Sequence, residues 1–289
     1  MVSIRNSAVK RAVFVTGASS GIGKACALHL DRLGFAVFAG VRKDADGAGL
    51  VAEAPGIRPV IVDVTKSDTI AAAVAEVRIE VGESGLYGLV NNAGIAVVGP
   101  IETLTASDIR EQFDVNVVGQ LAVTQAFLPL VRQARGRIVI MGSIFGLLSC
   151  PFVGVYAASK FALEALADAL RVELAPWEIE VSLIEPGRMA TTIWGKSFVA
   201  MEKMQTREDE VHALYAASMT LARKKAEEFA RTCTSPQRVA RAVAHALTAR
   251  RPKTRYKVGR DVRFWAPLRR HAPDRLADWV INLMLRMGA

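Results

Sequence analysis

The chain has 289 residues, 51% of them apolar, and a formal net charge of +9. That apolar content excludes a disordered chain, and the length allows one large α/β domain or two small ones. The charge is concentrated: residues 250–289 hold eleven Lys/Arg against three Asp/Glu, a balance of +8, while the first 249 residues balance at +1. A neutral body with a basic tail and no recognised reading motif makes nucleic acid an unexpected partner.

Apolar, β-branched runs alternate along the chain with longer amphipathic segments, the pattern of a parallel sheet covered on both faces. Strands are predicted at Ala12–Thr16, Ala36–Val41, Pro59–Val62, Leu86–Asn91, Arg137–Gly142 and Glu180–Ile184, with a seventh at Arg255–Val258. Helices are predicted at Gly21–Leu33, Ser67–Val81, Ser107–Gln133, Val153–Leu174 and Pro236–Ala249. Right-handed crossovers between them give a doubly wound α/β fold. No repeat or low-complexity linker divides residues 1–289, so a single domain is expected. Residues 191–234 break the alternation with helical sequence and are expected to form a lid over the carboxyl edge of the sheet, where ligands bind in such folds.

Cys26, Cys150 and Cys233 are scattered and odd in number, with no Cys/His cluster, so neither disulfides nor a metal site are expected. The N-terminus lacks the apolar stretch of a signal peptide, and no run approaches 18 consecutive apolar residues. The expected location is the cytoplasm.

Two constellations carry chemistry. Val13 to Gly23 reads strand, glycine-rich turn, helix, with Gly17, Gly21 and Gly23 spaced G-x-x-x-G-x-G. Such a turn lets a pyrophosphate approach the backbone and presents it with the unpaired N–H groups of a helix amino end. Tyr156 and Lys160 stand four apart on a predicted helix, one turn from each other, with Ser143 thirteen residues upstream of the tyrosine. A phenol beside an ammonium suits proton transfer to an alcohol or ketone oxygen. Work near neutrality requires the phenol to fall by about three pKa units, roughly 4 kcal/mol of differential stabilisation, for which Lys160 is the expected source.

With Thr16-Gly17-Ala-Ser-Ser-Gly21-Ile-Gly23, Asn91-Asn92-Ala93-Gly94, Asn116, Ser143, Tyr156-x-x-x-Lys160 and Pro186-Gly187 in this order, most of the first 195 residues resemble the short-chain dehydrogenase/reductase family, its retinol and steroid branch in particular. The resemblance implies a Rossmann-type sheet of about seven strands and an oxidoreductase dependent on a nicotinamide cofactor. It implies Tyr156 as general acid/base, Lys160 lowering the phenol's pKa and holding the nicotinamide ribose, Ser143 donating to the substrate oxygen, and Asn116 holding Lys160 and a relay water. For the cofactor it implies Gly17, Ser19, Ser20, Gly21, Ile22 and Gly23 at the pyrophosphate. Asp63 and Val64 would meet the adenine, and Asn91, Ala93 and Gly94 the adenine ribose. Pro186, Gly187 and Thr191 would enclose the nicotinamide. Homodimers or homotetramers are common in the family.

Arg42 and Lys43 follow the second strand where an NAD-specific enzyme usually carries a carboxylate, so NADP(H) is favoured, with NAD(H) as the alternative. Apolar residues at 94–101 and 144–148, with Phe145, Trp194, Phe198 and Met201, point to a lipophilic alcohol or ketone of retinoid or steroid kind. The basic extension at 260–289 contains an amphipathic helix whose apolar face is Leu276, Trp279, Val280, Leu283, Met284 and Met287. This helix would pack on the body or a sister subunit, or else make a peripheral membrane contact. A cofactor-binding regulator without turnover is the alternative from another functional class; it has no need of all four of Asn116, Ser143, Tyr156 and Lys160.

Overall fold

The computed structural model describes residues 10–189, 210–230, 233–259, 261–262, 265 and 272–285. Seven parallel strands form one sheet in the order β3-β2-β1-β4-β5-β6-β7. They are β1 Ala12–Val15, β2 Ala36–Val41, β3 Arg58–Ile61, β4 Gly88–Asn91, β5 Arg137–Met141, β6 Glu180–Pro186 and β7 Arg255–Val258. The strand order reverses between β1 and β4, which opens a crevice at their carboxyl ends.

Alternation along each strand feeds two cores. In β1, Val13 and Val15 join the layer beneath helices α1 (Gly21–Arg32) and α8 (Pro236–Thr248), while Ala12 and Phe14 join the layer under α3 (Ser67–Val81), α5 (Gly119–Gln133) and α6 (Gly154–Glu173). Phe14 stacks on Phe127 of α5 with ring centroids 4.5 Å apart. Among the described residues the further α-helices are α2 (Asp44–Glu53), α4 (Ala106–Phe113), α7 (Glu210–Ala230) and α9 (Asp274–Leu285).

The structure departs from the sequence expectations in two elements that matter to the site. Helix α2 is unpredicted because Gly47 and Gly49 erase its helical signal. Gly47 is there for packing, since a Cβ would come within 2.7 Å of Pro59. The helix expected over 107–133 is instead α4 and α5 joined by a π turn at Asp114–Val118. This helical run is long and apolar enough to cross a membrane. Here, however, it lies against β4 and buries Gln112, Asn116, Gln120 and Thr124, so it is a core helix.

Candidate active site

A cavity of about 610 Å³ occupies the crevice. At one end lies the glycine turn. Gly17 and Gly21 have φ of +62° and +56°, left-handed values that only glycine adopts without strain. At Gly17 a Cβ would also lie 2.9 Å from the Ala93 Cα. Ser20 places no side-chain cap on α1, so the amino end of that helix is presented with Gly17, Ser19, Ser20, Gly21 and Ile22 to the cavity. An anion there meets backbone N–H groups and the positive end of the helix dipole.

Gly23 is a different case. It does not line the cavity; a Cβ there would collide with the Gly17 carbonyl and the Asn92 amide, so its bareness lets the helix pack beneath the turn. Asn91 also departs from expectation. As the last residue of β4 it points into the core, 1% exposed, and donates to Thr124 Oγ1 at 2.7 Å. The next residue, Asn92, faces the cavity and donates to the carbonyls of Thr16 (2.9 Å) and Gly17 (3.1 Å). Thr16 Oγ1 in turn accepts from the N–H groups of Asn92 and Ala93, each at 2.9 Å. The strict alternation of a strand was the signal that separates the two asparagines.

Val41, Arg42, Val62, Asp63 and Val64 line the adjoining wall, while the exposed Lys43 only precedes α2 and lies off the cavity. Burial raises the Asp63 carboxyl, but hydrogen bonds from Thr65 and the nearby charges of Arg42 and Lys66 outweigh it and hold the group below the ordinary carboxylate range. Asp63 is therefore an anion facing Arg42.

The far end holds Ser143, Phe145, Tyr156 and Lys160, with Ala93 and Gly94 between the two ends and Pro186, Gly187, Arg188 and Met189 on the β6 side. Ser143 lies just beyond β5 and hydrogen-bonds the Tyr156 phenol. Phe145 meets the Tyr156 ring edge-on at 5.9 Å. Lys160 is 4% exposed, donates to the Met141 carbonyl at 2.8 Å, and holds its ammonium 5.7 Å from the Tyr156 ring centroid.

Two expectations need correction at this end. Burial pushes the Tyr156 phenol up to about 12, against the downward pull of the Ser143 hydrogen bond, and burial lowers the Lys160 ammonium to about 8. Desolvation therefore governs the pair, and the lowered phenol expected from Lys160 is absent in this state. Asn116 does not hold Lys160. It brackets the peptide of Ile95, accepting from its N–H at 2.8 Å and donating to its carbonyl at 3.0 Å, and donates to Ser159 Oγ at 3.1 Å. Asn116 sits in the π turn and stays fully buried while it makes these bonds.

Sequence reasoning missed Gln112. This residue is fully buried one turn before Asn116, accepts from Val97 N–H at 2.7 Å and donates to the Ile95 carbonyl at 3.1 Å. The two amides together fix the apolar wall Ile95–Val98. Thr191, Trp194, Phe198 and Met201 lie outside the described residues.

A parallel sheet with a helix-capped glycine turn at its switch point, facing a buried Ser-Tyr-Lys group, defines a nucleotide-binding oxidoreductase. Residues 11–202 match the family model for short chain dehydrogenase, and the chain belongs to that family. It is 35% identical to retinol dehydrogenase 5 of Mus musculus, over 94% of this chain and 88% of that protein. Retinol dehydrogenase 16 of Homo sapiens is 37% identical over 93% and 87% respectively. A short-chain dehydrogenase from Streptomyces avermitilis superposes with a TM-score of 0.77 at 28% identity, covering 98% of this chain and 99% of that one.

Proposed function

We propose that the protein interconverts a lipophilic secondary alcohol and its ketone, or a retinoid or steroid relative, using NADP(H), with Tyr156 as general acid/base. The observation that carries the reading is one continuous cavity lined by Arg42 and the glycine turn at one end and by Ser143, Tyr156 and Lys160 at the other. A dinucleotide fits this arrangement: N–H groups and Arg42 complement phosphates, and the positive φ of Gly17 and Gly21 shapes the turn that presents those N–H groups. The cofactor supplies the hydride.

The protein's own residues handle the oxygen and its proton. In the reductive direction Tyr156 gives its proton to the carbonyl oxygen as negative charge develops there, and Ser143 donates a second hydrogen bond to the same atom. A phenol held at about 12 serves as the acid form; in the oxidative direction the phenolate needs its cation, so Lys160 must turn from the Met141 carbonyl toward the tyrosine. The retinol dehydrogenases named above and the apolar residues Ile95, Val97, Val98 and Phe145 support a lipophilic substrate. Helix α7 covers that side as a lid: Met219 packs with Val98 and Phe152, and Tyr215 donates to Glu102 at 2.7 Å.

The same reading treats residues 1–289 as one domain and assembles them as a homo-oligomer. It places the protein in the cytoplasm, touching membranes through α9. Support for the membrane contact comes from Leu276, Trp279 and Leu283, which are exposed on α9 although Ala277 is buried.

The deciding assay offers NADPH and NADH with hydrophobic ketones and aldehydes to wild type and Tyr156→Phe. Turnover by the wild type should fall at least about a thousandfold in the variant. Equal turnover by the two would remove Tyr156 from the reaction.

A further inference from the structure

We propose that Glu164 and Glu185 share one proton, and that this carboxyl pair is a positioning device for the cofactor site. It would hold the Ser143 turn, the Tyr156–Lys160 helix and the Pro186–Gly187 strand end in one arrangement. The inference rests on the cofactor reading above.

Glu185 is fully buried on β6, directly before Pro186, and neither of its carboxylate oxygens has a hydrogen-bond donor among the described residues. Glu164 stands on α6 one turn beyond Lys160; its Oε1 likewise finds no donor, while its Oε2 accepts from Arg255 Nε at 2.9 Å. A fully buried carboxylate and a half-buried one left this way would each forfeit solvation and repel one another. A single proton between them neutralises one charge and joins one orphan oxygen of each carboxyl group, which removes the repulsion and leaves one Glu185 oxygen still without a donor.

The charged groups around the pair do not replace that proton. From β7, Arg255 reaches Glu185 Oε1 only at 3.8 Å and is already engaged by Glu164 and by Asp168 at 2.8 Å, while Lys257 is paired in register with Glu185. From α6, Asp168 adds a further negative charge, itself bound by Arg171 at 2.6 Å. Burial first, and then the charge of Glu164, push Glu185 up to about 7, against Lys257 and Arg255. Burial likewise raises Glu164, opposed chiefly by Arg255.

The pair touches the site from below. A Cβ on Gly146, in the turn that follows Ser143, would lie 3.1 Å from Glu164 Oε1 and 3.1 Å from the Lys160 carbonyl, so that turn rests on Glu164. Pro186 and Gly187, next in sequence to Glu185, line the cavity. Repulsion between the two carboxylates therefore pushes apart three walls of one cavity.

The sign follows. Below about pH 7 the proton is held and the walls are in register; as pH rises through that value the proton leaves and cofactor affinity falls. The test titrates the full chain with NADPH, by its fluorescence, at about pH 6 and about pH 8.5, in wild type and in Glu185→Gln, which mimics the protonated carboxyl. A difference of one pKa unit in the pair between free and bound protein makes affinity change about tenfold, so the wild type should weaken about tenfold more than Glu185→Gln across this range. Parallel pH profiles in the two proteins would overturn the inference, whereas no NADPH binding by wild type at either pH would overturn the cofactor reading instead. Thermal melting without cofactor provides a second readout. Because the folded proton affinity exceeds that of an ordinary glutamate, wild type should lose stability relative to Glu185→Gln as pH rises from about 5 to about 8. A constant difference in melting temperature refutes the shared proton, and Glu164→Gln answers both measurements should Glu185→Gln fail to fold.

Discussion

Arg42 stands exposed at the rim of the cavity where β2 ends, with the ionised Asp63 on the neighbouring wall. A guanidinium in that position can fork onto a ribose phosphate, and it leaves the carboxylate to the adenine side. Replacing it by alanine should weaken NADPH about tenfold or more while leaving NADH within about twofold, read by fluorescence titration of both. Equal weakening of the two would mean that Arg42 only covers the adenine. Neighbouring residues can have unrelated roles at this scale. Asn91 and Asn92 are adjacent, yet one satisfies Thr124 inside the core and the other ties the glycine turn to β4. Motif spacing identified the pair of positions, and only the strand's pleat assigns each its face.

Among the elements, strands β1, β2, β4 and β5 were legible as short apolar runs, and the predicted ends of β2 and β7 coincide with those observed. Helix α2 was hidden by Gly47, which Pro59 requires, and by Gly49, and the π turn by an apolar periodicity that continues through it unchanged. That turn makes α4 a clamp: Gln112 and Asn116 together bind the backbone of Ile95 and Val97. Gln112→Leu leaves the Val97 N–H buried without an acceptor and removes one of two donors to the Ile95 carbonyl. The cost should be about 2 kcal/mol, a drop of roughly 4–8 °C in melting temperature for a chain of this size. Loss of the wall's shape should raise KM for a bulky ketone several-fold while NADPH affinity stays as in wild type. An unchanged melting temperature together with an unchanged KM would show that the wall holds without the clamp.

For the whole molecule, the features least legible in sequence are those assembled from distant positions. Glu164, Glu185 and Arg255 come from α6, β6 and β7, and no local pattern joins them; the sheet order brings them together. The tail is the opposite case, since its amphipathic helix was expected but its orientation was not. Ala277, a small residue, faces inward, while Leu276, Trp279 and Leu283 remain 46%, 60% and 59% exposed. A helix that leaves Leu276, Trp279 and Leu283 exposed, directly after residues 250–273 where the tail's excess of positive charge lies, would suit an interfacial anchor for an anionic bilayer. A lipophilic substrate would then partition into the same layer the helix enters, beside helix α7, on which α9 packs. Sedimentation with vesicles tests this: wild type should bind phosphatidylserine-containing vesicles at low salt and lose most of that binding at high salt, because the lipid charges are screened. The double substitution Trp279→Glu with Leu283→Glu, at two exposed positions, should abolish binding with little effect on melting temperature. Failure of the wild type to sediment with these vesicles would assign the exposed stripe to another surface.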